Sequence, residues 1–277
     1  MNNTGPEPTF ALPTVASPAR LYDVYLGGKN NYPVDRDLAA QIEAEVPEIK
    51  PMARANRRFL GSTVDHMARQ GVDQFLDIGS GLPAQNPVHE VARHHHPGAR
   101  VVYVDYDATV RVHAEALLAE EPDITGVVQA DMRDPETIFA HPELVDRLDL
   151  ERPVGLLLVA MLHFLTDDEN PAGLLQRYLD HLPTGSYVTI SHVESDTAPD
   201  RAAALEHFYE SATSALRARS HAEIARFFDG LEMVDPPGLA HIGTWRSRLT
   251  PMTDDETPIP AEQAWGLGGL ARLTSRR

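Results

Sequence analysis

The sequence predicts an α/β fold, a doubly wound and mostly parallel sheet with helices on both faces. From residue 74 onward, short apolar runs alternate with helical stretches, the rhythm of successive βαβ units. The run Pro153–Ala160 is apolar without alternation, as expected of a strand covered on both faces. About 70 residues of mostly helical character precede the first convincing strand.

In order, residues 1–17 read as a disordered tail, with Pro6, Pro8 and Pro13 and no periodicity. Arg20–Gly28 reads as a short helix. Pro33–Val46 reads as a second, with Leu38, Ile42 and Val46 four residues apart. Pro51–Gln70 reads as a third, with Gly71 just past its end. Gln74–Ile78 is the first strand, followed by Gly79-Ser80-Gly81 and a helix over Pro83–His95. Arg100–Val104 is the second strand, and Asp107 caps a helix to about Ala119. Thr125–Gln129, Pro153–Ala160 and Ser186–Ser191 are strands three to five, with a helix from Asn170-Pro171 to Leu182. Ala198–Arg217 reads as one long helix. The pattern Ser220-x-x-Glu223 is a capping box opening another, which ends at Gly230. Leu231–Val234 and Gln263–Leu273 supply strands six and seven, with a long loop over residues 239–260 between them. The expected organisation is a tail (1–17), a helical cap or lid (18–70) and a ligand-binding domain (71–277).

Composition narrows the function. Of 277 residues, 24 are Lys or Arg and 41 are Asp or Glu, a formal net charge of −17. Bulk attraction to nucleic acid or anionic lipid is therefore not expected. There is no cysteine, which excludes disulfides, thiolate metal sites and cysteine nucleophiles. The longest apolar run, Val154–Leu165, is too short to span a bilayer, which needs about 20 residues. A cytoplasmic protein is expected, with no membrane and no nucleic-acid partner.

The sharpest local signal lies between the first strand and its helix. Gly79-x-Gly81-x-x-Ala84 satisfies a dinucleotide fingerprint, and Asp105 stands 21 residues past Ala84, where a ribose-binding acid belongs. S-adenosylmethionine (SAM) fits the same loop. A dinucleotide brings a pyrophosphate that carboxylates repel, whereas SAM carries an ammonium and a sulfonium. Asp77, Asp105 and Asp131 place carboxylates at three strand ends, which favours SAM. Each could alternatively be a turn or cap residue.

Several runs carry a resemblance: FLDIGSGLP (75–83), VHEVA (88–92), VVYVDYD (101–107), QADMRDP (129–135), LLLVAMLHFL (156–165) and SYVTISH (186–192). With PARLYDVYLGGKNNYPVD (18–35) and ANRRFL (55–60), the chain resembles an actinobacterial S-adenosyl methyltransferase-like family, formerly a domain of unknown function. The resemblance implies a three-layer, Rossmann-like class I methyltransferase fold, seven-stranded, in the order 3-2-1-4-5-7-6 with the last strand antiparallel. It also implies roles. Asp77 and the Gly79, Ser80, Gly81 backbone would hold the methionine part of SAM. Asp105 would take the ribose, with Tyr106 on the adenine. Asp131 would accept from the adenine amine, with Met132 against the ring. Ala160, Met161 and His163 would line the methyl-transfer end. The chain lacks the Asn/Asp-Pro-Pro-Tyr/Phe motif after strand four; Val159-Ala160-Met161-Leu162-His163 stands there instead. Transfer to a flat exocyclic amine is therefore disfavoured. S-adenosylhomocysteine (SAH) would be the product.

His163 is the candidate general base, since imidazole titrates near working pH; the alternative is a ring that orients a loop. Tyr22, Asn30, Asn31 and Tyr32 are candidate contacts to a small-molecule acceptor, on a segment suited to roof the crevice or merely to cover the core. Asn56 and Arg57 could reach the SAM carboxylate, or Arg57 could pair with a nearby acid. Gly27-Gly28-Lys29 follows no strand and is not a phosphate loop. No metal site is expected, because His94, His95 and His96 cannot face one point. The rival functions are a SAM-binding protein without turnover and an NAD(P)-dependent oxidoreductase.

Overall fold

The computed structural model of the protein describes residues 12–83, 86–118, 124–250 and 257–274. Three helices come first: α1 (Pro18–Tyr25), α2 (Pro33–Glu45) and α3 (Ile49–Arg69). There follow β1 (Gln74–Ile78), α4 (Val88–Arg93), β2 (Arg100–Asp105), α5 (Ala108–Leu118) and β3 (Thr125–Gln129). Two short helices, α6 (Pro135–Phe139) and α7 (Pro142–Val145), lead to β4 (Gly155–Val159), α8 (Pro171–Asp180) and β5 (Tyr187–Val193). The chain continues through α9 (Pro199–Tyr209), α10 (His221–Ala225), β6 (Glu232–Met233), β7 (Ala240–His241) and β8 (Gly266–Arg272).

The sheet runs β3-β2-β1-β4-β5-β8-β6. β1 to β5 pair in parallel, and β8 lies antiparallel between β5 and β6. This is the expected order. The two-residue β7, within the expected long loop, adds to β8. Successive strand residues face opposite layers. Phe75, Val101 and Leu157 join a core shared with α1 to α3 and α9, whereas Leu76, Val102 and Leu156 join a second core against α6 to α8. Both faces are covered, which explains the unbroken apolar strands.

The cap is part of the first core. Leu21 and Ile42 are fully buried there, with Leu38 beside them in the same core. α3 buries Met52, Asn56, Phe59, Thr63 and Met67 at helical spacing. α1 begins two residues before the expected start because Ser17 caps it, accepting the Arg20 N–H, and Pro18 fits a first turn. Most of the expected tail lies outside the described residues. Ala16 and Ser17, however, are buried, and the Ala16 carbonyl accepts the Thr213 N–H.

Three helices are shorter than expected. The one opened by Ser220 tightens into a 3₁₀ turn over Arg226–Phe228. The one over residues 83–95 begins only at Val88, because Asn86 is left-handed (φ 53°) and Pro87 holds the cap position; Ala84 lies outside the described residues. α9 stops at Tyr209, where Ser211 turns its hydroxyl onto the Phe208 carbonyl and the Ser/Thr run competes with the helical backbone. Residues 213–219 instead fold back over the sheet, the Arg217 N–H meeting the His163 carbonyl at 2.7 Å and the Arg219 N–H meeting the Val193 carbonyl at 3.2 Å.

Candidate active site

The ends of β1 to β5, roofed by α1 and α3, enclose a cavity of about 800 Å³, toward the large end of ordinary ligand pockets at about 300–1,000 Å³. Asp77 stands in it at the end of β1, 5% exposed. Its carboxylate makes no hydrogen bond to the described residues. Burial, resisted by the Arg57 charge and reinforced by Asp105, pushes its pKa up to about 7. Such a carboxylate lacks the donors that normally offset burial.

The glycine turn follows. Gly79 (φ 71°) and Gly81 (φ 67°) are both left-handed, where a side chain is strained. A Cβ on Gly79 would also collide with the Met161 thioether. The turn is sewn to β2. Gly79 and Ser80 donate to the Val104 carbonyl at 2.7 and 3.1 Å, and Gly81 donates to Asp105 Oδ2 at 2.9 Å. No N–H of these three residues is left to cradle a phosphate. Helix α4 starts seven residues after Gly81, so no helix N-terminus meets the turn. The dinucleotide fingerprint is present in sequence without the geometry that makes it work.

Asp105 also accepts the Asp107 N–H at 2.9 Å; burial, its largest influence, leaves its pKa raised to about 6. Tyr106 is 70% exposed at the cavity mouth. Asp131 accepts the Arg133 N–H and pairs with its guanidinium at 3.3 Å. Met132 is buried against the cavity. Ala160 takes a left-handed turn (φ 59°) after β4. Its N–H donates to Ser191 Oγ at 2.8 Å, and that hydroxyl donates to Asn56 Oδ1 at 2.6 Å. Met161 and Arg57 line the cavity, and Arg57 also donates to the Asn86 carbonyl.

Of the expected acceptor contacts, Tyr22 and His163 reach the cavity and the others do not. Asn30 and Asn31 turn onto Asp23, the Asn30 N–H at 3.0 Å and the Asn31 amide at 2.7 Å, and Tyr32 lies under the Arg20 guanidinium. Asn30, Asn31 and Tyr32 thus stand in a turn held by Asp23 and Arg20, outside the described cavity lining. The base role expected of His163 also does not suit its surroundings. The ring is buried, and its Nδ1 accepts the Val193 N–H at 3.4 Å. That contact assigns the ring proton to Nε2, so Nε2 donates. Burial, His192 and the Arg219 charge hold the ring's pKa well below the usual histidine range.

Sequence reading missed Tyr209 and placed Tyr25 in the roofing segment without making it an acceptor contact; both line the cavity with Tyr22. The three-residue spacing of Tyr22 and Tyr25 on α1 was a usable signal; nothing in sequence ties Tyr209 to them. It also missed the clamp that fixes the roof. Arg20, 5% exposed, pairs with the fully buried Asp35 at 2.9 Å and with Asp107 at 3.0 Å, and Ser17 Oγ donates to Asp107 at 2.8 Å.

A family model described as S-adenosyl methyltransferase matches residues 12–274. The chain belongs to the S-adenosyl methyltransferase family. Its members are SAM-dependent methyltransferases, and SAM is the cofactor of this one too. A DUF574 family protein from Streptomyces avermitilis is 38% identical, with 94% of this chain and 98% of that chain covered and a TM-score of 0.88. A candidate methyltransferase from Thermobifida fusca is 37% identical, covering 94% and 96%, with a TM-score of 0.85. An O-methyltransferase family protein from Burkholderia thailandensis, 13% identical over 87% of this chain and 61% of that one, shares the fold at a TM-score of 0.54. No curated protein matches the sequence. Among the described residues no helix is long and apolar enough to cross a membrane, and no cluster of acids and histidines could hold a metal.

Proposed function

We propose that this methyltransferase acts on a small-molecule acceptor, with residues 71–277 binding SAM and residues 18–70 roofing both ligands. The observation that carries the reading is Asp77, a buried carboxylate lining the cavity with no hydrogen-bond donor among the described residues. The ammonium of SAM would supply that donor and the compensating charge. Asp105 would take the ribose hydroxyls and Asp131 the adenine amine. Met132 and Tyr106 would flank the ring, and the open space over Gly79–Gly81 would admit the methionine chain beside Arg57 and Met161. Bound SAM supplies an electrophilic methyl group. The residues after β4 exclude water and orient the acceptor, which is most of what an in-line displacement requires. His163 donates through Nε2 rather than accepting a proton.

Calorimetry with SAH, NAD and NADP in parallel tests the cofactor assignment. SAH is expected to bind in the micromolar range, about −8 kcal/mol, and the dinucleotides at least about tenfold more weakly. Tighter binding of NAD or NADP would overturn it.

A further inference from the structure

The two ends of the cavity differ in chemistry. Its carboxylates, Asp77, Asp105, Asp107 and Asp131, all lie at the ends of β1 to β3 and in the turns that follow. The end beyond β4 is walled by Phe164, Tyr209, Tyr25 and His163, with no carboxylate among the described lining residues. Phe164 and Tyr209 stand 5.8 Å apart, and His163 meets Phe164 edge-on at 4.5 Å. These walls suit a flat molecule.

The tyrosine hydroxyls and the His163 Nε2 of this end each carry a proton to donate. The hydroxyls of Tyr25 and Tyr209 face each other. Besides burial, their contact raises the pKa of Tyr25 and lowers that of Tyr209, as donation from Tyr25 to Tyr209 would, and the Tyr25 hydroxyl is enclosed with no closer partner among the described residues. Tyr209 and His163 line the cavity, and neither the Tyr209 hydroxyl nor the His163 Nε2 donates a hydrogen bond to the described residues. Tyr22 is already satisfied, donating to the Ala53 carbonyl and accepting from Asn56, both at 3.0 Å. Burial, first, pushes the Tyr25 hydroxyl well above and the Tyr209 hydroxyl up to about 12, so both keep their protons.

A cation lies behind them. His192 is 5.4 Å from His163, ring to ring, and its Nε2 accepts from Arg219 Nη1 at 3.0 Å. The guanidinium is 4% exposed and also donates to the Leu162 and Leu165 carbonyls. Its carboxylate partner Asp167, at 2.8 Å, is 64% exposed, so solvent screens the negative member of the pair more than the positive one. The other ionisable groups facing this end stand further back. Glu43 of α2, paired with Lys50, reaches it through Tyr25; Arg57 reaches it through Tyr22; and Glu223 of α10 acts on His192 against Arg219.

A cationic amine placed here would be buried near the Arg219 guanidinium with no carboxylate among the described lining residues to meet it. A neutral alcohol would find no base. A hydroxyl acidic enough to ionise unaided needs no base, and its anion meets donors already in place. Building on the proposed methyl transfer, we propose that the acceptor is a planar phenol or enol that ionises near neutral pH, held as its oxyanion by Tyr209 and His163 and methylated on that oxygen. Tyr25 is a positioning residue, its enclosed hydroxyl backing that of Tyr209. The balance is complete. The acceptor's proton goes to solvent before transfer, an oxygen lone pair forms the new bond to the methyl carbon, and the carbon–sulfur pair stays on sulfur, cancelling one positive and one negative charge.

The probes are 7-hydroxycoumarin, whose hydroxyl ionises near neutral pH with a change of excitation band, and tryptamine, a cation of similar size. Both are titrated into SAH-loaded protein across pH 5–9. The coumarin is expected to bind as its anion and to ionise on the protein at least about one pH unit lower than in water, with tryptamine at least about tenfold weaker. Tyr209→Phe should weaken the coumarin about tenfold and move its ionisation back toward the free value. Tyr25→Phe should move the ionisation with a smaller loss of affinity. Both should leave SAH binding within about twofold, which also reports that they fold. Binding of the neutral coumarin, tryptamine binding as tightly, no coumarin binding, or an unmoved ionisation in Tyr209→Phe would each overturn the acceptor class while SAH still binds. Failure of wild-type protein to bind SAH would instead overturn the cofactor site beneath it.

Discussion

Replacing Asp77 with Asn should raise stability and lower cofactor affinity together. The carboxyl titrates at 3.8 in its ordinary state and at about 7 in the fold. Below pH about 3.8 it is protonated whether the chain is folded or not, so it does not affect the balance. Between these values the unfolded chain ionises first, and stability falls as pH rises. Above about 7 both forms are ionised and the full cost of burying the charge stands. The gap of about three pH units, at 1.36 kcal/mol each, sets that cost at no more than about 4 kcal/mol. Asn carries no charge and nearly the same shape. The ligand-free variant should therefore melt higher at pH 8, by up to roughly 8 °C at about 2 °C per kcal/mol for a chain of this size, and much less so at pH 4. SAH would lose a charged partner worth about 1.5–3 kcal/mol, at least tenfold in affinity. Wild-type affinity should also weaken as pH falls through 7, because the bound ammonium needs the ionised carboxylate, whereas the variant should lose that dependence. Thermal melts and calorimetry at both pH values read these effects. A variant that melts no higher at pH 8, or binds SAH within about twofold of wild type, would refute the reasoning.

Asp105→Ala removes the acceptor of the Gly81 and Asp107 N–H groups and should cost about 1–3 kcal/mol of SAH affinity by calorimetry; unchanged affinity would remove Asp105 from the ribose. Gly79→Ala forces a side chain into a left-handed turn and onto Met161, so urea unfolding should show a loss of at least about 1–2 kcal/mol, and full stability would show that the turn tolerates a methyl group. Arg20→Ala leaves the fully buried Asp35 without its guanidinium and should lose about 3–5 kcal/mol in the same assay; a loss under about 1 kcal/mol would show that the Ser17 and Tyr32 N–H groups already bonded to Asp35 suffice for it.

The sheet was legible because β1 to β5 are covered on both faces, and a short, continuous apolar run such as Leu156–Val159 suits a strand buried on both sides. The strand-end acids were legible for a related reason. A charged residue next to such a run must stand at its open end, as Asp77 and Asp105 do. The roof was misread where composition stood in for geometry. Asn30, Asn31 and Tyr32 are as polar as a binding segment, yet Asp23 and Arg20 take up that polarity. His163 was visible but its proton was not, because the Val193 N–H that fixes it arrives from β5, thirty residues away. Tyr209 was hidden for want of any local pattern. The end of its helix is set by a Ser/Thr run that helical periodicity does not register.

The antiparallel strand β8 has a bearing on how the molecule is made. It is Gly266–Arg272, later in the chain than every strand it joins, yet it sits between β5 and β6 and also holds β7. A ribosome releases β1 to β5 early and in order, each able to dock beside a neighbour already present. The strip from β6 to β7 has no hydrogen-bonded seat in the sheet until β8 arrives. During synthesis the β5 edge must therefore stay open over a delay of more than seventy residues, and the nascent chain has an unpaired edge to shield from other chains for that interval.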